Sequence, residues 1–406
     1  MDFNDTKQEA EFRKKCFDWL SENAKLKQYE KSDEMFGDDK FLKKAKKWQK
    51  KKYDAGYAMI HWPKEFGGLN ASPIERIIWS EEESKFDVPR GVYDIGLGMC
   101  GPVMMQYASN EQKQRFLPPM AEGTEIWCQL FSEPSAGSDV AGLRTKAVKD
   151  GDKWIINGQK VWTSGAHFSD YGILVARHDI NADKHKGLTF FFLDMHSPGI
   201  EVKPIKQITG GSSFNEVYFN DVVIPDSQRL GEIGEGWKVS LTTLMNERLA
   251  VGDAVGSDVE DLFKWAKKHT LDDNKLIEDT NVRSSIADWY CEASGLKNTK
   301  LRTVSSLSRG ETPGPEASIT KIVSANKLQN IGIYGMDTVE TAGIIKSKKP
   351  ELKGFHNAWL AAPGLRIAGG TDEILKNIIA ERVLMLPQET REDKNKPFKD
   401  IPTGKY

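Results

Sequence analysis

The sequence predicts an α+β protein in three parts: a helical N-terminal domain, a middle domain of antiparallel β-structure and a C-terminal helical bundle. Three observations carry this reading. Apolar residues recur at helical spacing up to about Gly123 and again from Gly236 to about Leu386. Between these regions, short β-prone runs are punctuated by turn dipeptides. The resulting helix–sheet–helix order is unlike an alternating βαβ chain. The boundaries read as 1–124, 125–231 and 232–388, with a polar, loosely held tail over 389–406. A chain of 406 residues accommodates this division.

In the N-terminal part, Phe12, Cys16 and Leu20 mark the buried stripe of a helix over residues 5–23. Residues 40–52 are crowded with lysine, but Phe41, Leu42, Ala45 and Trp48 share one face, so the lysines read as a solvated face rather than a phosphate or membrane patch. His61 to Gly68 is a loop with Pro and Gly punctuation. Gly96-Leu97-Gly98-Met99-Cys100-Gly101 matches GxGxxG. It lacks a convincing preceding strand and is followed by Pro102, which argues against a dinucleotide fingerprint. Asn110 opens the next helix.

The middle part begins with an extended run, Ile126–Phe131, that breaks at Ser132-Glu133-Pro134-Ser135-Ala136-Gly137-Ser138-Asp139. Pro134 fixes one φ and Gly137 can take a positive one, so this is a structured loop. Its small side chains would let a flat ring or a narrow chain lie against backbone N–H groups. Asp150-Gly151-Asp152 and Asn157-Gly158 read as turns flanked by strands. Lys160-Val161-Trp162-Thr163-Ser164 alternates as a half-buried strand does. Later strands cover residues 187–194, 200–205 and 214–219, with turns at Asn220-Asp221 and Pro225-Asp226. Read from local chemistry alone, this is an antiparallel meander with polar turns.

In the C-terminal part, Leu241, Leu244, Met245, Leu249 and Val255 suggest one long helix. Trp289, Leu296 and Leu301 suggest a second, and Ile319, Ile322, Val323 and Leu328 a third. Thr312-Pro313-Gly314-Pro315 separates the last two, and residues 346–354 read as a charged, exposed loop.

A formal charge of −2 gives no reason to expect nucleic acid or an anionic membrane as partner. Cys16, Cys100, Cys128 and Cys291 are scattered without metal-ligand spacing, which fits a reducing, cytoplasmic setting. The charged N-terminus does not read as a signal peptide, and no apolar run approaches a membrane span.

FSEPSAGSD, GQKVWTSGAHFSDYGIL, FNEVYFNDVVIPDSQRLGEIGEGW and AGGTDEILKNIIAERVLMLP, in this order, closely resemble the acyl-CoA dehydrogenases over nearly the whole chain. The resemblance implies FAD held without a Rossmann fingerprint. By position, the flavin contacts would fall on Leu130, Phe131 and Ser132, on Trp162, Thr163 and Ser164, and on Thr371. Trp162 on pattern alone is equally a core residue or a platform for the ring. Ser138 and Arg248 would lie on the substrate side. The resemblance also implies an acyl-CoA substrate, electron transfer flavoprotein as electron acceptor, and a homodimer or homotetramer built through helices carrying Ile378, Ile379, Val383 and Leu384.

The chain departs from the family's pattern in places. Residues 269–275 lack an Arg-x-Phe-Gly stretch, and the region near Gly343-Ile344-Ile345 lacks Gln-x-x-Gly-Gly, so the adenine half of FAD is expected to be held differently. Where the commonest family pattern has a catalytic glutamate, this chain has Gly369, which offers only its backbone N–H to a thioester oxygen. In the isovaleryl and long-chain types the glutamate sits on a helix of the C-terminal region, and the matching position is Glu247. On pattern alone Glu247 is a solvated helix residue; the glycine at 369 makes it the favoured base, with Asp372 and Glu373 in reserve. The function this implies is α-proton abstraction with β-hydride transfer to flavin, giving a trans-2-enoyl-CoA. A non-catalytic or half-catalytic subunit of a heteromer, and an acyl-CoA oxidase, are the alternatives.

Overall fold

The computed structural model describes residues 5–27, 36–250, 258–271, 273–308, 317–345, 350–391, 393–394 and 396–402. The chain forms two compact units. One comprises Met1–Asp33, Ser72–Asp87 and Arg248–Pro387; the other comprises Glu34–Ala71, Val88–Glu247 and Gln388–Tyr406.

The first unit is helical. α1 (Lys7–Asn23) opens with a capping box between Thr6 and Glu9 and buries Cys16 and Leu20. β1 (Lys25–Leu26) pairs antiparallel with β2 (Phe86–Asp87). Helix α3 (Pro73–Ser84), which has its own capping box, runs into β2. Arg13 of α1 donates to Glu81 and Glu82 of α3 at 2.8 and 2.9 Å.

The second unit carries the sheet. α2 (Asp39–Asp54) buries Ala45 and Trp48 and leaves its lysines outward. Residues Gly96–Cys100 form a π-helical turn that continues into α4 (Gly101–Tyr107), so the GxGxxG match is helical. Its glycines answer packing: a Cβ on Gly101 would lie 2.2 Å from the Trp62 ring. α5 (Asn110–Glu122) is capped by Ser109. The sheet contains β3 (Trp127–Leu130), β4 (Lys146–Asp150), β5 (Lys153–Ser164), β6 (Tyr171–Arg177), β7 (Leu188–Asp194), β8 (Ile200–Ile205), β9 (Phe214–Pro225) and β10 (Arg229–Leu230). Their order is β10-β7-β6-β4-β5-β9-β8, with β3 beside β6. Pairing is antiparallel except where β3 and β4 meet β6. Both faces are covered: Phe190 and Phe192 enter one core, Phe191 and Leu193 the other. Alternate side chains point to opposite faces, which explains why β7 reads as an unbroken apolar run.

Two expected turns are instead a bulge. Asn157-Gly158 lies inside β5, where the pairing with β9 slips. Gly158 has φ +150°, and a Cβ there would fall 2.7 Å from Thr145 Cα. Asn220-Asp221 lies opposite, inside β9, and Asp221 has φ +51°. Asn157 Nδ2 donates to Asp221 Oδ1 at 2.9 Å, and Asp221 N donates to Asn157 Oδ1 at 3.0 Å. Turn-forming residues here bend two long strands without ending them. α6 (Gly236–Ala250) follows β10.

The chain then returns to the first unit. α7 (Val259–Lys268), a small antiparallel pair of β11 (Thr270–Leu271) and β12 (Asn274–Lys275), α8 (Thr280–Ser308), α9 (Ala317–Asp337), α10 (Pro350–Ile367) and α11 (Asp372–Arg382) complete it. Leu262, Trp265, Ile331 and Phe355 form its core. Residues from Pro350 onward are helical, not loop: the charged start of α10 hides the buried positions Phe355, Ala358 and Ala362 that follow. Val255 and the Thr312–Pro315 separator lie outside the described residues. The polar tail is anchored, not loose: Pro397 bridges to Asp183, Phe398 N donates to Ala182 O at 2.9 Å, and the Phe398 ring is buried.

Candidate active site

The end of β3 and the end of β5 lie side by side, where Val161 N donates to Ser132 O at 2.9 Å. This brings Leu130, Phe131 and Ser132 next to Trp162, Thr163 and Ser164. Leu130 and Phe131 are buried, and the Phe131 ring packs edge-on against Phe190. Only their backbone is therefore available to a ligand. Ser132 and Ser164 are half-buried.

A second slip of the β5–β9 register lies between Lys160 and Thr163. Trp162 sits in it at φ +59°, a left-handed conformation that is uncommon for a bulky residue. The bulge turns its indole outward, 57% exposed, braced edge-on by Phe214. Asn215, fully buried, holds this geometry: its Nδ2 donates to Thr163 O at 2.9 Å, and its Oδ1 lies 3.0 Å from His167 Nδ1. Burial pushes the His167 imidazole below its ordinary pKa, only partly offset by Asn215. Thr163 Oγ1 is buried and has no hydrogen-bond partner among the described residues.

Beneath the loop lies a buried ion pair that the sequence reading did not single out. Lys160 Nζ donates to Glu133 Oε1 at 2.8 Å and to Phe131 O at 3.0 Å. Glu133 also accepts from Arg144 N at 2.6 Å and Thr145 N at 2.8 Å. Burial raises the Glu133 carboxyl, but Lys160 and the N–H donors outweigh it and hold it below the usual carboxylate range. Burial draws Lys160 down, against the opposing pull of Glu133. The available signal was a lysine on the inward side of an alternating strand, opposite a loop glutamate. Ser138, further along the loop, is exposed, and Asp139 reaches Lys184 at 2.6 Å.

Glu247 is on α6, half-buried, and Leu244, one turn earlier, packs against the core. The side chain of Arg248 and all of Val251 lie outside the described residues. Gly369 and Thr371 belong to the other unit. Gly369 and Gly370 have φ +64° and +93° and form the turn before α11. Thr371 caps that helix, its Oγ1 accepting from Ile374 N at 3.2 Å. Asp372 is buried and accepts from Arg366 Nε at 2.8 Å and Asn326 Nδ2 at 3.2 Å, with Lys321 Nζ 3.7 Å away. Burial raises its carboxyl, but these partners hold it below its ordinary pKa, which makes it a poor proton acceptor. Glu373 is exposed, and the α11 N–H groups and Thr371 lower its pKa as well. Of the two departing stretches, His269 stacks on Trp265 at 4.3 Å, whereas Ile344 and Ile345 are exposed.

An outward indole, a buried hydroxyl without a partner and a small-residue loop on one strand edge fit a flat, hydrogen-bonding ring such as a flavin. Among the described residues no group of His, Cys, Asp and Glu could hold a metal ion, and no described helix is long and apolar enough to cross a membrane.

Known proteins point the same way. Residues 6–124, 128–222 and 234–384 match the family models "Acyl-CoA dehydrogenase, N-terminal domain", "middle domain" and "C-terminal domain". The chain is 38% identical to acyl-CoA dehydrogenase FadE34 of Mycobacterium tuberculosis over 337 residues, 82% of this chain but 45% of FadE34. It thus spans less than half the length of that relative. Acyl-CoA dehydrogenase IpdE1 of the same organism is 34% identical over 85% of this chain and 88% of its own length. Among solved structures, the Tcur3481-Tcur3483 steroid ACAD is 26% identical with a TM-score of 0.80, covering 96% of this chain and 100% of that one. The ChsE4-ChsE5 complex of Mycobacterium tuberculosis is 25% identical with a TM-score of 0.77, over 96% and 100%. The chain belongs to the acyl-CoA dehydrogenase family, whose members are flavin-dependent oxidoreductases acting on CH–CH bonds.

Proposed function

We propose that this chain desaturates an acyl-CoA thioester between Cα and Cβ, with FAD as its cofactor. The observation that carries this is the bulge that turns the Trp162 indole outward next to Thr163, whose buried hydroxyl has no partner among the described residues, with Ser132 alongside. When bound, the flavin supplies the acceptor for the β-hydride, which no side chain can. Trp162 would cover one face of the ring, and the Thr163 hydroxyl with the Ser132 and Ser164 groups would bond its edge. Leu130 and Phe131 contribute backbone only. Ser138 takes the substrate side. Glu247 takes the α-proton as general base. Arg366 and Asn326 hold the Asp372 carboxyl below its ordinary pKa, which counts against it as the base. The divisions 1–124, 125–231 and 232–388 serve as the working domains, supported by the three matched spans. Electrons pass to electron transfer flavoprotein, in the cytoplasm, and the working unit is a homodimer or homotetramer.

A second reading is a subunit of a heteromer. It is favoured by the two-component names of the Tcur3481-Tcur3483 and ChsE4-ChsE5 structures and by the 45% span of FadE34. Anaerobic titration of the FAD-loaded protein with a panel of acyl-CoA thioesters, steroid side-chain thioesters included, tests both. Bleaching of the flavin band supports the dehydrogenase. No bleaching with any thioester until a second, co-purified chain is present supports the heteromer. Peroxide release in air without added acceptor marks an oxidase.

A further inference from the structure

The segment after residue 388 has no part in the site just proposed, yet it is tied to the loop that follows β3. That loop, residues 132–145, has only a short 3-10 turn, Val140–Gly142, as regular structure. Arg177, buried at the end of β6, holds it from below. Its Nη2 donates to Ala141 O at 2.6 Å, its Nε to Leu143 O at 3.0 Å and its Nη1 to Lys184 O at 3.1 Å. These acceptors are neutral carbonyls, and burial pushes the guanidinium down to about 10, with Arg144 adding to the effect. A buried cation so placed needs compensation. The Glu133, Asp139 and Asp179 carboxylates supply part of it through their charge, and Phe398 supplies the direct contact: its ring centroid lies 3.4 Å from Arg177 Cζ and 5.1 Å from Arg144 Cζ. The ring is fixed by two backbone bonds, Phe398 N to Ala182 O and Lys399 N to Ile180 O, at 2.9 and 3.0 Å. A second tie runs parallel to the first. Lys184, buried, bridges Asp139 of the loop at 2.6 Å and Asp393 of the tail at 2.7 Å. Asp393 is itself gripped by Arg391 and held well below the usual carboxylate range by Arg391 and Lys184.

We propose that the described residues 393–394 and 396–401 act as a strap that sets the position of the 132–145 loop, and that Phe398 and Asp393 are positioning residues for FAD binding, acting through Arg177 and Lys184. This rests on the loop's proposed role at the flavin. Two ties, one aromatic through Arg177 and one ionic through Lys184, join the tail to the loop at Ala141–Leu143 and at Asp139. Losing either frees the backbone that presents Ser132 and Ser138.

The test uses the full chain with three variants: Phe398→Leu, which keeps apolar bulk but removes the ring; Phe398→Trp, which restores a ring; and Asp393→Asn. Hydrogen exchange over residues 133–145 and the FAD dissociation constant, from quenching of flavin fluorescence, are measured for each. The proposal expects faster exchange in the loop and about 3- to 30-fold weaker FAD binding for Phe398→Leu, a smaller loss for Asp393→Asn, and near-parent values for Phe398→Trp. Unchanged loop exchange in Phe398→Leu overturns the strap whatever happens to FAD. Faster exchange with parent FAD affinity overturns the positioning role. A parent protein that does not bind FAD refutes the flavin reading itself, and with it the role assigned to the strap. If Phe398→Leu does not fold, Asp393→Asn decides by the same two readouts.

Discussion

Replacing Lys160 by Met severs the ion pair beneath the loop while keeping most of the aliphatic stem. Glu133 would retain its bonds from Arg144 N and Thr145 N but lose the cation bonded to it, and Phe131 O would lose this donor. Both charged side chains are almost wholly buried. Breaking a buried pair from one side costs about 3–5 kcal/mol, because the remaining charge stays desolvated. Lys160→Met should therefore lose about 3–5 kcal/mol of unfolding free energy in urea denaturation. Adding Glu133→Gln removes the stranded charge while leaving an amide oxygen for the two N–H groups. The double variant should recover part of the loss, with a coupling of about 1–3 kcal/mol in the double-mutant cycle. Because Glu133 is held below its ordinary pKa, its contribution is present above about pH 4.5 and is lost as pH falls through the lowered folded value. Lys160→Met within about 0.5 kcal/mol of the parent at pH 7 would refute the pair as a structural support.

Further expectations follow from single features. Asp226 is held at about 2 by Arg229 and Trp154, so the parent should lose stability between about pH 4 and 2, and Asp226→Asn should flatten that limb in an acid titration followed by circular dichroism. Gly158→Ala places a Cβ against Thr145 in a backbone conformation that suits glycine, and should cost about 1–3 kcal/mol by urea denaturation. Trp162→Ala should leave the melting temperature of the flavin-free protein near the parent value, since the indole is mostly exposed, while weakening FAD binding in a fluorescence titration.

The order of elements was legible because burial on one helical stripe or on alternate strand positions leaves a period in the sequence. α1, α2 and the 200–205 strand followed it closely. Where both faces are buried, as in β7, the apolar run still marked the strand. The bulges were not legible: Asn157-Gly158 has a turn's chemistry, and only the pairing across to Asn220-Asp221 makes it a kink in long strands. α10 was hidden by its charged first turn. The tail's anchoring was not legible because both of its ties, Phe398 to Arg177 and Asp393 to Lys184, reach residues more than two hundred positions earlier. The site residues came from resemblance in family order; local pattern alone left Trp162 and Glu247 ambiguous. For the buried Lys160–Glu133 pair the pattern offered only a lysine on the inward side of a strand, and for the Asn215 brace it offered nothing, since each is a contact between distant segments.

The most direct test of the central claim is the rate at which acyl-CoA reduces the flavin in Glu247→Gln, followed by stopped-flow absorbance with the best thioester of the panel. Gln keeps the shape and hydrogen-bonding reach but cannot accept the proton. A positioned general base contributes about 10²- to 10⁴-fold, so reduction should slow by at least about 100-fold with FAD content and thioester affinity near the parent values. Asp372→Asn, measured beside it, should lose far less. Glu247→Gln reducing its flavin at the parent rate, or Asp372→Asn being the variant that stops, would contradict the assignment.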